Sequence, residues 1–499
     1  MAALILRAGR FRLVAWPLLL GALTVLGFAP FYFYPIPLLT LAALFHLWLH
    51  AGSARAAFVV GFMFGLGLFG FGASWVYVSL HDYGMMPLPL AVLATLLYCA
   101  FLALFPALAG WLQARLQGAA AWRLLAVMPA SFVLYEWTLG WIFTGFPWLT
   151  LGYSQAPASP LAGYAAVLGV YGVSLLLAAS AGLLVLSRLP RRAGLALGGL
   201  LALWLAGAGL QTVAWTQASG APLTVSLLQG NISQDLKWRE DRLRSTLASY
   251  REMVLASTSK LIILPETAIP LFYDNVPPAY LEDLAQHARR QGGDIILGLP
   301  ERDLAQRTYY NSVLSLGTAP TQFYRKQHLV PFGEFVPLKP VFGWIIETMQ
   351  IPLTDFARGA ATQRPLAVAG QQVAMNICYE DVFGEEIIRQ LPQATLLVNV
   401  SNDAWFGDSI APRQHLQIAQ MRALESGRYM LRATNTGLTA IVNEKGRILA
   451  QAPVFQATAL HGTAQGMSGS TPYVRWGNAP FLIVLGGLFL LAVVRRQRI

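Results

Sequence analysis

The chain of 499 residues is 56% hydrophobic and 12% charged, whereas an ordinary globular domain carries roughly a quarter charged residues, so a wholly soluble protein is excluded. The formal charge of +11, from 35 Lys and Arg against 24 Asp and Glu, does not indicate nucleic acid, because a binding face of that kind clusters its cations on a soluble surface. Here many arginines stand between apolar runs, which is the pattern of membrane topology.

At the N-terminus Arg7, Arg10 and Arg12 precede an apolar run that no small-x-small cleavage site closes, and further apolar segments follow. This reads as an uncleaved first span rather than a removed signal peptide. Windows of about 20 apolar residues, enough to cross roughly 30 Å of hydrocarbon, recur near 12–30, 34–50, 56–79, 88–114, 122–143, 160–187 and 194–215. An eighth runs near 477–494 and ends in Arg495, Arg496 and Arg498. The basic residues occur at both termini, around Arg55, at Arg115 and Arg123, and at Arg188, Arg191 and Arg192. With eight spans all of these lie on one side. The opposite loops, HDYGMMPLP and the stretch from Gly145 to Pro160, carry no Lys or Arg. The positive-inside rule then puts both termini in the cytoplasm and the long soluble region outside it, which is the periplasm of a Gram-negative cell. Glu136, in ASFVLYEWTLGWIF, is costly in hydrocarbon and suggests either a function or an internal partner; a place near the outer interface beside Trp137 and Trp141 is equally open. The aromatics of GFPWLTLGY are expected in the interfacial belt.

The expected organisation is a seven-helix membrane domain over 1–216, an extracytoplasmic domain over 220–465 and a C-terminal helix with a basic tail over 474–499. In the middle region short β-rich runs alternate with amphipathic helices, an α/β pattern. The expected strands are LTVSLLQ, LIILP, DIILGLP, YNSVLSLG, TQFYRKQHLV, QVAMNIC, TLLVNVS and TAIVNEKGRIL. One expected helix carries Leu243, Leu247, Tyr250 and Val254, another Leu416, Ile418, Met421, Leu424 and Tyr429.

Three signals carry chemistry: LIILPETAIP with Glu266, YRKQHLVPFGEFVP with Lys326 and Glu334, and MNICYEDVFGE with Cys378. Glu266 and Cys378 directly follow apolar strands, where a rigid sheet aims side chains into a crevice. A cysteine attacks as its thiolate; a nearby ammonium favours that form and a carboxylate can take the proton. A lysine can also hold a developing oxyanion. The only other cysteine, Cys99, lies in the apolar stretch LATLLYCAFLALF and is not expected to pair with it. An unpaired thiol in an oxidising compartment asks for a reason, and catalysis supplies one. Alone, Glu266 reads as a turn residue, Lys326 as a solvated loop lysine and Cys378 as a buried structural thiol. His328 is a competing base if the strand stays regular through Gln327. His415 with Asp403 or Asp408 lacks metal-site spacing, and no metal is expected.

In the order Glu, Lys, Cys, at spacings of 60 and 52 residues, these motifs resemble the nitrilase superfamily, whose fold is an αββα sandwich with a Glu-Lys-Cys triad. The apolar frame and the segments QGNISQDLKW, KQHLVPFGEFVP, NICYED and VNVSNDAWFG resemble its apolipoprotein N-acyltransferase branch over essentially the whole chain. The resemblance implies Glu266 as general base, Lys326 as transition-state stabiliser and Cys378 as nucleophile. It implies Glu334 as a support for Lys326, the Tyr379 N–H as second oxyanion donor, Glu380 as a supporting acid, and Trp238 and Trp405 as lipid-contacting residues. The activity implied is acyl transfer from a phospholipid donor, through a Cys378 thioester, to the N-terminal amine of a diacylated lipoprotein acceptor. It would run in the bacterial inner membrane, with no cofactor, no nucleic acid and a monomeric enzyme. A membrane-tethered amide hydrolase and a non-enzymatic transporter or scaffold are the competing readings. Residues 345–365 and 404–412 are candidate lids, on loop-like composition.

Overall fold

Apolar runs that must satisfy every backbone N–H and C=O internally become helices, and all eight apolar segments are helical in a computed structural model that describes residues 14–116, 118–337, 340 and 355–496. Among the described residues four helices are long and apolar enough to cross a membrane: Ala54–Gly72, Leu88–Arg115, Pro160–Leu186 and Ala193–Leu210. Val14–Gly27, Pro35–Leu49 and Ala479–Val494 are shorter apolar helices, and residues 120–139 form another. Arg7, Arg10, Arg12 and Arg498 lie outside the described residues.

The chain divides into a helical unit, comprising Met1–Tyr77, Leu88–Val213 and Arg475–Ile499, and a second unit of Val78–Pro87 with Ala214–Val474. In the helical unit small residues let backbones approach closely. A Cβ at Gly61 would strike the backbone of Pro106, and one at Gly65 would lie 2.7 Å from the Cα of Ala103. Between the helices ending at Leu139 and beginning at Ala165 the chain runs through irregular turns at Leu151–Gln155 and Pro160–Tyr164 that are almost wholly buried. Trp148 and Tyr153 are each 1% exposed, so the GFPWLTLGY aromatics pack inside this unit and do not form an exterior belt. Glu136 also faces inward: its Oε1 accepts from the Leu151 N–H at 2.8 Å, and its carboxylate is bonded to Ser174, whose Oγ accepts from the Gly152 N–H at 2.8 Å. Irregular backbone enclosed in apolar surroundings leaves N–H groups without helical partners, and Glu136 serves two of them directly or through Ser174. An internal partner is therefore the reading of Glu136 that the geometry supports.

Among the described residues the second unit holds fourteen strands: β1 (Thr216–Ala218), β2 (Leu223–Gln229), β3 (Leu261–Ile263), β4 (Asp294–Asp303), β5 (Thr308–Gly317), β6 (Gln322–Arg325), β7 (Leu366–Val368), β8 (Gln371–Ile377), β9 (Leu396–Ser401), β10 (Met430–Thr434), β11 (Ala440–Val442), β12 (Ile448–Gln451), β13 (Thr458–Ala464) and β14 (Met467–Gly469). They form a sheet ordered β13-β2-β3-β4-β5-β6, a sheet ordered β12-β11-β10-β9-β8-β7, and a ribbon of β1 with β14. The strand period of two sorts their side chains. Val225, Leu261, Ile263 and Ile296 of the first sheet meet Val373, Met375, Ile377, Val398 and Val400 of the second in one core. The alternate residues Leu228, Ile262, Ile295 and Leu297 pack instead with Tyr250, Val254, Leu284 and Ala288 of the helices Glu240–Ala256 and Pro278–Arg290. Ala374 and Leu397 pack with Leu416, Ala419 and Ala423 of the helix Ala411–Ser426. The layers are helix, sheet, sheet, helix, an αββα sandwich. β2, β3 and β4 run parallel, as do β8, β9 and β10, so each sheet offers a row of strand carboxyl ends.

Several sequence expectations shift. The strand expected over TQFYRKQHLV stops at Arg325, TAIVNEKGRIL is the hairpin of β11 and β12, and the second expected helix ends at Ser426, leaving Tyr429 outside it.

Candidate active site

Strand β3 is buried on both faces, and its ladder continues one residue further through the Leu264 N–H to the Ile296 carbonyl at 2.8 Å. Pro265 ends it, having no N–H to give, and Glu266 stands at the strand's carboxyl end. A Cβ on Gly298 of β4 would lie 2.5 Å from the Thr267 nitrogen and 2.8 Å from the Glu266 Cα, so Glu266 rests directly on a glycine. Glu266 Oε1 accepts from Asn311 Nδ2 at 2.7 Å and from Lys326 Nζ at 3.3 Å, and Oε2 accepts from the Asn402 N–H at 2.9 Å. Burial pushes this carboxyl up, but the ammoniums of Lys326 and Lys237 outweigh it, and the group ends below the ordinary glutamate value.

Lys326 follows β6 and is 1% exposed. Its N–H donates to the Asn311 carbonyl at 2.8 Å, and its Nζ reaches Glu334 Oε1 at 2.9 Å. Asn311 Nδ2 also donates to Glu334 Oε1, at 2.8 Å, so one amide and one ammonium tie the two carboxylates together. Burial disfavours the ammonium, yet Glu266 and Glu334 hold its pKa above the usual lysine value. Removing one partner from a buried pair of this kind costs about 3–5 kcal/mol.

Cys378 follows β8 at the head of a 3-10 turn, Cys378–Val382, with φ of 52°. That left-handed backbone costs a non-glycine residue on the order of 1–3 kcal/mol and persists only where its surroundings enforce it. Burial raises the thiol, Glu266 and Asp403 raise it further, and Lys326 opposes them, so the resting group is a thiol rather than a thiolate. Tyr379, whose N–H comes next in the turn, packs its ring 5.2 Å from Phe383. Glu380 accepts from the N–H groups of Ile377 (2.7 Å), Gln327 (2.7 Å) and His328 (3.1 Å) and from Tyr324 Oη (3.0 Å). It therefore clamps the Cys378 turn to the loop that carries Lys326. Burial raises its carboxyl to about 7, with those backbone donors holding it back.

The structure thus brings together Glu266, Lys326, Glu334, Cys378, Tyr379 and Glu380. His328 is turned elsewhere, its ring stacked 3.6 Å from Phe383 and its Nδ1 3.1 Å from Glu386 Oε1. Trp405 is half-buried in the turn Asp403–Phe406, with its carbonyl accepting from Ser79 Oγ at 2.8 Å and its ring 6.3 Å from Tyr83. Trp238 is half-buried just after the helix Gln234–Lys237. Residues 345–354 of the first candidate lid lie outside the described residues.

Lys237 was missed from sequence. It is 4% exposed, and its Nζ donates to the Glu266 carbonyl at 3.1 Å. Burial lowers it to about 8, against the pull of Glu266 and Cys378. Asn311 and Asn402, which hold the Glu266 carboxylate, were also missed. A lysine in SQDLKW reads as solvated, and only its burial separates it from one. Chemically, the arrangement offers a base that stays ionised, two buried cations and a protonated thiol, which is the inventory for attack on a carbonyl with general-base help.

Residues 20–183 match the apolipoprotein N-acyltransferase N-terminal domain, and residues 207–473 match the carbon-nitrogen hydrolase family. The chain is 59% identical over 487 residues to an apolipoprotein N-acyltransferase of Nitrosomonas europaea, covering 97% of each chain. It is 47% identical to that of Methylococcus capsulatus, covering 96% of this chain and 95% of the relative. Among solved structures, Saccharomyces cerevisiae Nit3, a member of branch 10 of the nitrilase superfamily, aligns with 50% of this chain and 93% of its own at 18% identity and a TM-score of 0.38.

Proposed function

The chain belongs to the apolipoprotein N-acyltransferase family, and from that premise we propose how its residues carry an acyl group from a phospholipid to a lipoprotein. It is an acyltransferase of lipoprotein maturation. Cys378 is the nucleophile, Glu266 the general base, and Lys326 with the Tyr379 N–H the oxyanion holders. Glu334 keeps Lys326 in place, and Trp238 and Trp405 border the lipid-binding side.

In the first step Glu266 takes the thiol proton as Cys378 Sγ attacks the ester carbonyl of the phospholipid. The tetrahedral oxyanion collapses, and the lysophospholipid alkoxide leaves with the proton returned from Glu266. The remaining thioester keeps most of the ester's acyl-transfer potential, so the reaction as written uses no cofactor. In the second step the N-terminal amine of a diacylglyceryl-cysteine lipoprotein attacks the thioester, Glu266 removes the amine proton, and the thiol is released with that proton. The product amide is more stable than either ester, which drives the sequence forward.

One observation carries this reading. Glu266 is held as a carboxylate by Asn311, Lys326 and the Asn402 N–H beside a thiol that burial keeps protonated, so a base is both needed and present. We place the enzyme in the bacterial inner membrane as a monomer with eight spans, both termini in the cytoplasm and the catalytic unit in the periplasm.

The test is mass spectrometry of purified protein incubated with phospholipid and no acceptor. A hydroxylamine-labile acyl adduct on Cys378 is expected in the native protein and absent from Cys378→Ala and Glu266→Gln, and a diacylated lipopeptide should discharge it. An unmodified thiol alongside hydrolysis of small amides would transfer the site to a water acceptor and overturn the phospholipid mechanism.

A further inference from the structure

Beneath the catalytic cysteine lies a set of buried charges that the mechanism does not use. Asp381, Asp403, His415 and Arg432 are each no more than 1% exposed. Arg432 Nη1 reaches Asp381 Oδ2 at 3.1 Å, and Nη2 reaches Asp403 Oδ2 at 2.9 Å. Arg432 Nη2 also donates to His415 Nδ1 at 2.7 Å, and on the far side His415 Nε2 lies 2.7 Å from Asp381 Oδ1. His415 Nδ1 also lies 3.2 Å from Asp403 Oδ1, so the ring is held between the two aspartates and the guanidinium.

Several contacts run from this set to the proposed catalytic pair. Asp381 is the third residue after Cys378 in the same turn. Arg432 Nη1 donates to Asn399 Oδ1 at 2.5 Å, and Asn399 Nδ2 donates to the Cys378 carbonyl at 3.0 Å. Ser401 Oγ bonds Asp403 Oδ1 at 2.7 Å and is also hydrogen-bonded to the Cys378 side chain. Asn402, between Ser401 and Asp403, supplies the N–H that holds Glu266. A Cβ on Gly437 would strike the Asp403 carboxylate, so that side of the set is closed as well. The φ of 52° at Cys378 needs an enforcing environment, and this set touches the turn at its carbonyl, its side chain and its fourth residue.

We propose that Asp381, Asp403, His415 and Arg432 form a buried positioning unit that holds the strained Cys378 turn and the backbone donor of Glu266 in one frame, and that its Asp403 and Arg432 charges act on the Cys378 thiol in opposite senses. The inference rests on Cys378 being the nucleophile, as proposed above. The other charges that face Cys378 are Glu266, Lys326 and Lys237, and all three stay unchanged in the variants below.

The test follows the rate of Cys378 alkylation by iodoacetamide against pH in monodisperse full-length protein, a readout that needs neither phospholipid nor lipoprotein. It therefore fails or succeeds separately from the transferase mechanism. Asp403→Asn should lower the midpoint and Arg432→Met should raise it, each by at least about half a pH unit, with the double variant returning toward the native value. A merely structural role would slow or unfold both variants without moving the midpoints in opposite directions, and midpoints that move together or not at all overturn the proposal. Should either buried-charge variant fail to fold, Ser401→Ala removes only the hydroxyl link between Asp403 and the thiol. It should slow alkylation of Cys378 at neutral pH about threefold or more, because the thiolate loses a hydrogen-bond donor, at an unchanged melting temperature, and an unchanged rate would overturn the proposal equally.

Discussion

A lysine buried without a carboxylate on its ammonium is expensive, because desolvation favours the neutral amine. Among the described residues Lys237 is in that position: its hydrogen-bond acceptor is the Glu266 carbonyl, and its pKa has fallen to about 8. It is charged below that pH and lends its field to Glu266 and Cys378; above it the field is lost. The first-step rate should therefore decline as pH rises through about 8, although Lys326 stays protonated throughout. Lys237→Met should lose about 10- to 100-fold in Cys378 acylation at neutral pH, consistent with losing one preorganised charge, and should abolish that alkaline limb. Single-turnover mass spectrometry from about pH 6 to about pH 9 measures both, and an alkaline limb that survives in Lys237→Met would assign it to another group. At this scale the sequence disclosed residues that sit in recognisable strings: Glu266 and Cys378 after apolar strands, and Lys326 within YRKQHLVPFGEFVP. It concealed the residues whose meaning lies in burial, since Lys237, Asn311 and Arg432 have the look of ordinary surface residues.

Elements were legible where their period was regular and ended early where a side chain took over the backbone. The strand read through TQFYRKQHLV stops at Arg325 because the N–H groups of Gln327 and His328 turn to Glu380, a partner 52 or more residues away that no local pattern reveals. The hairpin inside TAIVNEKGRIL turns at Asn443, whose Oδ1 accepts from the N–H groups of Lys445 and Arg447, with Gly446 at φ of 70°; this signal was present and overlooked. The helix ending at Ser426 is closed by Gly427 at φ of 62°, and β10 after it was unread because a fully buried strand containing Arg432 does not alternate. The most consequential element contact is that of Glu266 on Gly298. Gly298→Ala should displace the Glu266 carboxylate by a fraction of an ångström, for which about 100-fold in rate is the expected scale, while KM changes little because neither Trp238 nor Trp405, the proposed lipid contacts, is touched. Steady-state kinetics with a melting curve checks this, and activity within twofold of the native protein would show that β4 yields instead.

At the scale of the whole molecule the argument concerns solvent. The helix Ala193–Leu210 buries only Ala196 and Gly207, while Leu195 is 84% exposed and Leu201 and Leu205 about 60%; Ile483 and Leu490 of the last helix are exposed to 74% and 65%. Such a surface would aggregate in water, and lipid is the solvent in which it costs nothing. Gly207 meets Gly163 and Pro160 backbone to backbone, the close contact that membrane helices use where burying apolar surface gains nothing over lipid. These two helices lead into and out of the second unit, so their orientation decides which compartment holds the proposed chemistry, and the positive-inside rule applied to Arg188, Arg191 and Arg192 predicts a cytoplasmic near end for the first. In a background with Cys99 and Cys378 replaced, a single cysteine at the exposed Lys445 should react with a membrane-impermeant maleimide in intact spheroplasts, and one at the exposed Arg191 only after lysis. Labelling in the reverse order would invert the topology and with it the compartment of both substrates. Protection of both positions in intact cells would put the catalytic unit in the cytoplasm, where glutathione keeps thiols reduced and an unpaired Cys378 would need no special explanation.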